Sequence, residues 1–190
     1  MRHWIAGYLA LTATWAFAVE PAEQFTAEQV MNMAGRQITS RVYVDNGNIR
    51  QELQLPGGPP TVSIFSAEKR AVWTLLPGNM YLEHALADDK DVSRMAWTSR
   101  EFRELLGQET VNGQPCDKYR LKSEQELLYY VNRDSGLPVM MKGMNGRLQV
   151  EWRNAQKGPQ PAALFQLPPG LRKMSMPSIP GLQLPIPQQQ

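Results

Sequence analysis

Between Gln37 and Glu83, apolar residues recur in short runs, and a cluster of turn-forming residues separates each run from the next. Ile38, Ser40, Val42 and Val44 share one face of a strand. Asp45-Asn46-Gly47-Asn48 follows, and Asn and Gly tolerate the positive φ angles that tight hairpins require. Ile49, Gln51, Leu53 and Leu55 then alternate with Arg50, Glu52 and Gln54, the mark of a half-buried strand. Pro56-Gly57-Gly58-Pro59-Pro60 ends that strand, because proline has no N–H to give to a ladder. The next runs are Thr61–Phe65, Ala71–Leu76 and Met80–Leu82, with turns at Ala67–Arg70 and Pro77-Gly78-Asn79. Their apolar residues fall on both faces, which predicts strands covered on both sides. The whole stretch reads as an up-and-down antiparallel meander. Gln37–Leu55 is expected to be an outer part of the sheet and Thr61–Leu82 to lie beneath a covering segment.

The flanking chain extends this pattern. Phe25–Ala34 fits two periods: Thr26-x-x-Gln29 can open a helix as a capping box, while Phe25, Ala27, Gln29, Met31 and Met33 fit one face of a strand. The Gly35-Arg36 break before the next strand favours a hairpin. Ser99–Gly107 predicts a short helix, capped by Thr98 or Ser99, with Phe102, Leu105 and Leu106 on one face and Gly107 at its end. Further strands are expected at Glu109–Val111, Cys116–Leu121, Leu127–Val131, Pro138–Lys142 and Arg147–Arg153, and a last ordered piece at Leu164–Leu171. The fold class that results is mainly β (α+β): a curved antiparallel sheet or incomplete barrel with one or few short helices.

The two ends differ in composition from this body. Arg2, an apolar run from Trp4 to Phe17 and the small residues around Ala16-Phe17-Ala18 have the layout of a secretory signal peptide, cleaved after Ala18. The run falls short of the roughly 20 residues needed to span a bilayer, so the mature chain is expected to be exported, periplasmic and without a transmembrane segment. Residues 19–174 form the expected single domain. Residues 175–190, with PSIPGLQLPIPQQQ from Pro177 onward, read as a Pro/Gln-rich tail. Its Ile179, Leu182, Leu184 and Ile186 give it a second reading, as a segment lying in a groove of the domain.

Charge and chemistry narrow the function mainly by exclusion. The formal charge is +2; removing residues 1–18 takes away only Arg2, which leaves 19 bases against 18 acids. So balanced a chain has no long-range field to draw it to nucleic acid. Cys116 is the only cysteine, so no internal disulfide can form, and its apolar surroundings favour a buried thiol over a reactive one. After processing His84 is the sole histidine, so no histidine pair can hold zinc. Asp88-Asp89-Lys90-Asp91 lacks the Gly and terminal Glu of a calcium loop. A Cys116–His84 nucleophilic pair is the one enzymatic alternative. No phosphate loop, Gly-x-Ser-x-Gly elbow or dinucleotide fingerprint is present, and the expectation is a non-enzyme without metal or cofactor.

Methionine is abundant, with 10 in the full chain, and flexible polarizable side chains suit apolar ligands of varied shape as well as plain core filling. A ligand-holding wall, if present, is expected from Trp73, Leu75, Met80, Leu82, Tyr129, Met140 and Trp152, with its floor near the first four.

The segments RVYVDNGNIRQEL, SAEKRAVWTLLPGNMYLE, VNGQPCDKYRL, GLPVMMKG and ALFQLPPGLRKM carry a resemblance that spans roughly Phe25 to Met174. They are similar to a family of exported bacterial domains of unknown function, akin in plan to the LolA and LolB lipoprotein-sorting proteins. The resemblance implies a LolA-like incomplete barrel around helical covering segments, with an apolar cavity for acyl chains. The function expected is therefore a carrier or binding protein of the cell envelope for a lipid, a lipoprotein acyl chain or another apolar ligand. The alternative is a protein–protein interaction module without a small ligand.

Overall fold

A computed structural model describes residues 21–33, 35–54, 60–86, 103–122 and 126–174. The signal segment, the acidic run at 88–91, the start of the expected helix and the tail from 175 onward lie outside the described residues.

The described chain is dominated by one sheet of twelve strands. In chain order they are β1 (Gln24–Met33), β2 (Arg36–Asp45), β3 (Asn48–Leu53), β4 (Thr61–Ser66), β5 (Ala71–Leu76), β6 (Met80–Ala85), β7 (Arg103–Val111), β8 (Gln114–Leu121), β9 (Leu127–Asn132), β10 (Pro138–Gly143), β11 (Leu148–Lys157) and β12 (Arg172–Lys173). The spatial order is β12-β6-β5-β4-β3-β2-β1-β11-β10-β9-β8-β7. Two meanders, β1–β6 and β7–β11, are thus joined side by side through the long-range pair β1–β11. All neighbours are antiparallel except β12, which lies parallel to β6.

The hairpin chemistry works as its residues dictate. Asn46 and Gly47 turn β2 into β3 at φ of 46° and 86°, and Asn112 and Gly113 turn β7 into β8 at 50° and 75°. Phe25–Met33 is strand rather than helix: it pairs along its whole length with β2, and long-range pairing satisfies a backbone whose local signals were divided.

Two expectations are corrected. Residues 103–107 of the expected Ser99–Gly107 helix belong to β7, the edge strand beside β8. A register shift between Leu105 and Gly107 marks a β-bulge, with Gly107 at φ 147°. The extra residue breaks the alternation of two, so adjacent Leu105 and Leu106 imitate a helical face. Secondly, Gln37–Leu55 is not an outer part of the sheet: β2 and β3 lie in its interior, whereas β6 is next to the β12 edge. A strand with one polar face reports that one face is wet, not that the strand is at an edge.

Register assigns every side chain to a face, because successive residues point to opposite sides. Phe25, Val44, Ile49 and Phe65 are cross-strand partners and share one face. They belong to a single buried cluster that also takes Tyr119, Leu121, Tyr129, Val150 and Trp152 from the other meander. Side chains from both halves meet in one core, so the sheet curls around this inner face. A smaller cluster of Val111, Cys116, Tyr130 and Val139 is on the outer face of the β7–β10 half.

After β11 the chain crosses the outer face as a strap. The 3-10 turn Ala162–Phe165 packs on β3 and β4, Phe165 is buried, and Arg50 Nη1 donates to the Leu164 carbonyl at 3.2 Å. β12 then docks on β6, where Lys173 bridges to Glu83, which also accepts from Trp73 Nε1 at 3.0 Å.

Candidate functional site

On β1–β4 and β11 the inner face is buried at one end and loosens toward the other, whereas on β5 and β6 Val72 is half-buried and His84 exposed beside the buried end. Along β1, Phe25, Ala27 and Gln29 are buried and Met31 is half-buried. Along β2 the same descent runs from Val44 through Val42 and Ser40 to half-buried Ile38. On β3 only Ile49 is buried, with Gln51 and Leu53 half-buried; on β4 Phe65 is buried, with Ser63 and Thr61 half-buried. On β11, Trp152 and Val150 are buried while Leu148 is half-buried. Leu76 and Met80, cross-strand partners on β5 and β6, are half-buried at the same end. The result is a trough with an apolar floor at the Phe25 end and an apolar mouth formed by Met31, Ile38, Leu53, Leu76, Met80 and Leu148.

A hydrogen-bonding belt interrupts this apolar surface, with Gln29 and Ser40 in register with mouth residue Leu53 and with Gln51, Ser63 and Thr74 one row nearer the floor. Gln29 Oε1 accepts from Gln51 Nε2 at 2.8 Å and from the Ser40 hydroxyl at 3.3 Å, and Gln51 Nε2 also donates to Ser40 Oγ at 3.0 Å. Ser63 and Thr74, cross-strand partners on β4 and β5, continue the belt with their hydroxyls 3.5 Å apart. Nothing in the sequence pattern singled out these residues. The signal was there, as polar residues on the apolar face of amphipathic strands, but it shows only once β1 is placed beside β2 and β2 beside β3.

The seven residues proposed from sequence divide between the faces. Met80 and Leu82 are on the inner face, paired with Leu76 and Thr74. Tyr129 and Trp152 are also inner, but deep in the floor, 1 % and 5 % exposed. Trp73 and Leu75 pair with Glu83 and Tyr81 and so share the outer face. Met140, opposite Tyr130, packs on the outer cluster. The first four residues therefore do not converge on one floor.

The titratable groups of the described residues are distributed over both faces of the sheet. Cys116 is fully buried and its Sγ contacts the Gln114 carbonyl at 3.4 Å; burial pushes the thiol up from its ordinary range. His84 is exposed on β6, and eight strands separate β6 from β8 in the sheet order, so His84 and Cys116 are not brought together. Asp117 is buried at the closed end, with Arg133 Nε 3.4 Å from Oδ1. The Tyr129 hydroxyl is pushed well above its ordinary value by burial, against the opposing pull of Arg103, whose guanidinium carbon is 5.6 Å from the ring centroid. Among the described residues, no three His, Cys, Asp or Glu side chains are grouped to hold a metal ion. A cleft of about 440 Å³ on the outer face, lined by Thr26, Glu28, Thr39, Arg41 and Glu52 among others, is the solvated side of the same amphipathic strands.

No family model matches the chain, and no curated protein matches it. Similar folds are found among solved structures. An uncharacterized conserved protein from Thermus thermophilus is similar at a TM-score of 0.55 and 14% identity, covering 80% of this chain and 90% of that one. The complex of MucA and MucB from Pseudomonas aeruginosa follows at 0.42 and 15%, with 75% of this chain covered but only 55% of the other. A proposed outer membrane lipoprotein-sorting protein domain from Vibrio parahaemolyticus is similar at 0.38 and 10%, covering 70% and 84%. The Thermus protein carries the likeness of fold. Among the described residues, no helix is long and apolar enough to cross a membrane. The described residues form a curved, open, antiparallel-dominated sheet with almost no helix.

Proposed function

We propose that this protein is an exported, non-enzymatic carrier that holds an apolar ligand, such as a lipid or a lipoprotein acyl chain, in the inner trough. The observation that carries the reading is the graded burial of the inner face. A core optimised only for stability buries its apolar side chains on every strand, since each leucine or methionine left half-wet forgoes part of about 1.5–3 kcal/mol. Here Met31, Ile38, Leu53, Leu76, Met80 and Leu148 stay half-buried toward one end of the strands, and Val72 and Leu82 are half-buried on β5 and β6 as well. An acyl chain entering there would dry those side chains and end against the Phe25–Phe65 floor. Met80 and Leu82 are the residues of the sequence-based wall that belong to this site; Tyr129 and Trp152 back its floor. Native mass spectrometry with organic extraction of protein purified from its own host tests the reading. A stoichiometric apolar molecule is the expected result, and a ligand-free protein whose trough is filled by its own side chains would overturn it.

A second reading has its own observation. Leu105 and Leu106 on the edge strand β7 are 51 % and 40 % exposed. An edge strand with adjacent exposed leucines can accept a strand from a partner protein, which favours an envelope interaction module. In-cell crosslinking from Leu105 that captures one stoichiometric protein and no lipid would favour it over the carrier.

A further inference from the structure

The carrier reading leaves open what the ligand presents at the belt, and the inner face constrains that chemistry. From the floor to the level of the belt, the inner positions of β1–β6 contain no Asp, Glu, Lys or Arg. Arg36 is inner by register but exposed at the mouth end, in line with Met33 and Leu148, His84 is exposed at the other end, and Arg103 of β7 lies over Tyr129 on the far half of the sheet. A carboxylate or phosphate drawn down to the belt would lose its hydration with no countercharge at that level of β1–β6, which is costly. A bare hydrocarbon would fare poorly for a different reason, because it would cover the belt and satisfy none of it. Gln29 is 5 % exposed and spends its Oε1 on Ser40 and Gln51, while its Nε2 has no hydrogen bond within the described residues. The hydroxyls of Ser63, opposite Gln51, and of Thr74 are half-buried and directed at each other only weakly, at 3.5 Å. The belt thus offers N–H and O–H donors to a neutral acceptor, set between two apolar zones.

Resting on the carrier reading, we propose that the Gln29–Ser40–Gln51 belt, with Ser63 and Thr74, is a subsite for the ester or amide carbonyl of an acylated ligand. The acyl chain extends to the floor and the head remains at the mouth. The ligand class is therefore an acyl ester or acyl amide, rather than a free fatty acid or a hydrocarbon. A carbonyl at belt height gains the Gln29 N–H, and one net hydrogen bond corresponds to roughly a three- to tenfold gain in affinity.

Three pyrene probes of equal chain length test this by fluorescence titration at pH 8: dodecylpyrene, the methyl ester of pyrenedodecanoic acid, and the ionised acid. The expected order in the unaltered protein is the ester tightest, by roughly three- to tenfold over the hydrocarbon. Gln29→Leu together with Gln51→Leu should abolish that advantage, with dodecylpyrene binding at least as tightly as before because the polar groups it would cover are gone. Equal binding of ester and hydrocarbon by the unaltered protein overturns the subsite but leaves the carrier standing. Tightest binding of the ionised acid overturns the subsite in favour of an anion site. Failure to bind any of the three overturns the carrier reading itself, and the subsite with it. The rank order in the unaltered protein decides the matter even if the double variant does not fold.

Discussion

Tyr129 and Trp152 meet edge to face, with ring centroids 5.8 Å apart and planes inclined at 78°. The contact joins β9 to β11 across β10 on the inner face, at 1 % and 5 % exposure. Edge-to-face pairs add about 0.5–1.5 kcal/mol beyond the area they bury. Either residue changed to Ala should destabilise by about 3–5 kcal/mol in urea unfolding, because each leaves a large cavity. The double variant should cost less than the two single effects combined, since the shared contact can be lost only once.

The same tyrosine makes a pH prediction. Its hydroxyl is held neutral in the fold, above its ordinary value, so the group contributes full stability below about pH 10, where the phenol is neutral in both states. Above that pH the unfolded chain ionises first and stability falls. Tyr129→Phe should flatten the alkaline decline between roughly pH 10 and 11 in thermal melts. Lys118 and Lys173, raised chiefly by hydrogen bonds to Glu109 and Glu83, also lose their contribution as pH rises, but equally in both proteins.

Cys116 should be inert. Buried between Val111, Tyr130 and Val139 with its pKa raised by burial, it presents neither access nor thiolate. A disulfide reagent at pH 8 should leave the folded protein unmodified and titrate one thiol per chain in denaturant; rapid modification of the folded protein would contradict the burial.

The strap predicts a local effect. Phe165 is its one buried side chain, seated on β3 and β4, and it fixes the approach of β12 to β6. Phe165→Ala should cost about 3 kcal/mol. It should also speed hydrogen exchange at the Arg172 and Met174 amides, which donate to Asn79 and Tyr81. Unchanged exchange at both amides would show that β12 holds to β6 without the strap.

Much of this fold was legible because its hairpins are local. Asp45-Asn46-Gly47-Asn48 carries its own geometry, and the alternation of β2 and β3 follows from it. Two kinds of information were not local. The Pro77-Gly78-Asn79 turn pairs Leu76 with Met80, which puts Leu82 opposite Thr74 and leaves Trp73 and Leu75 on the other face. A turn shorter by one residue would have united all four, so the proposed floor depended on loop length. The β1–β11 pairing joins residues more than a hundred positions apart, as in Gln29 opposite Trp152, and no local pattern encodes it. The belt became visible only once β1 was set beside β2 and β2 beside β3, because Gln29, Ser40 and Gln51 each look ordinary on their own strand.

The most direct measurement is whether the apolar molecule retained by the protein depends on the inner mouth. Leu76→Arg places a charge at the mouth, and Thr39→Arg places one at an exposed outer-face position on β2. Native mass spectra of the three proteins purified from the same host should show an apolar adduct at one per chain in the unaltered protein and in Thr39→Arg, and its loss in Leu76→Arg. Absence of any adduct, or retention of the adduct by folded Leu76→Arg, would contradict the account.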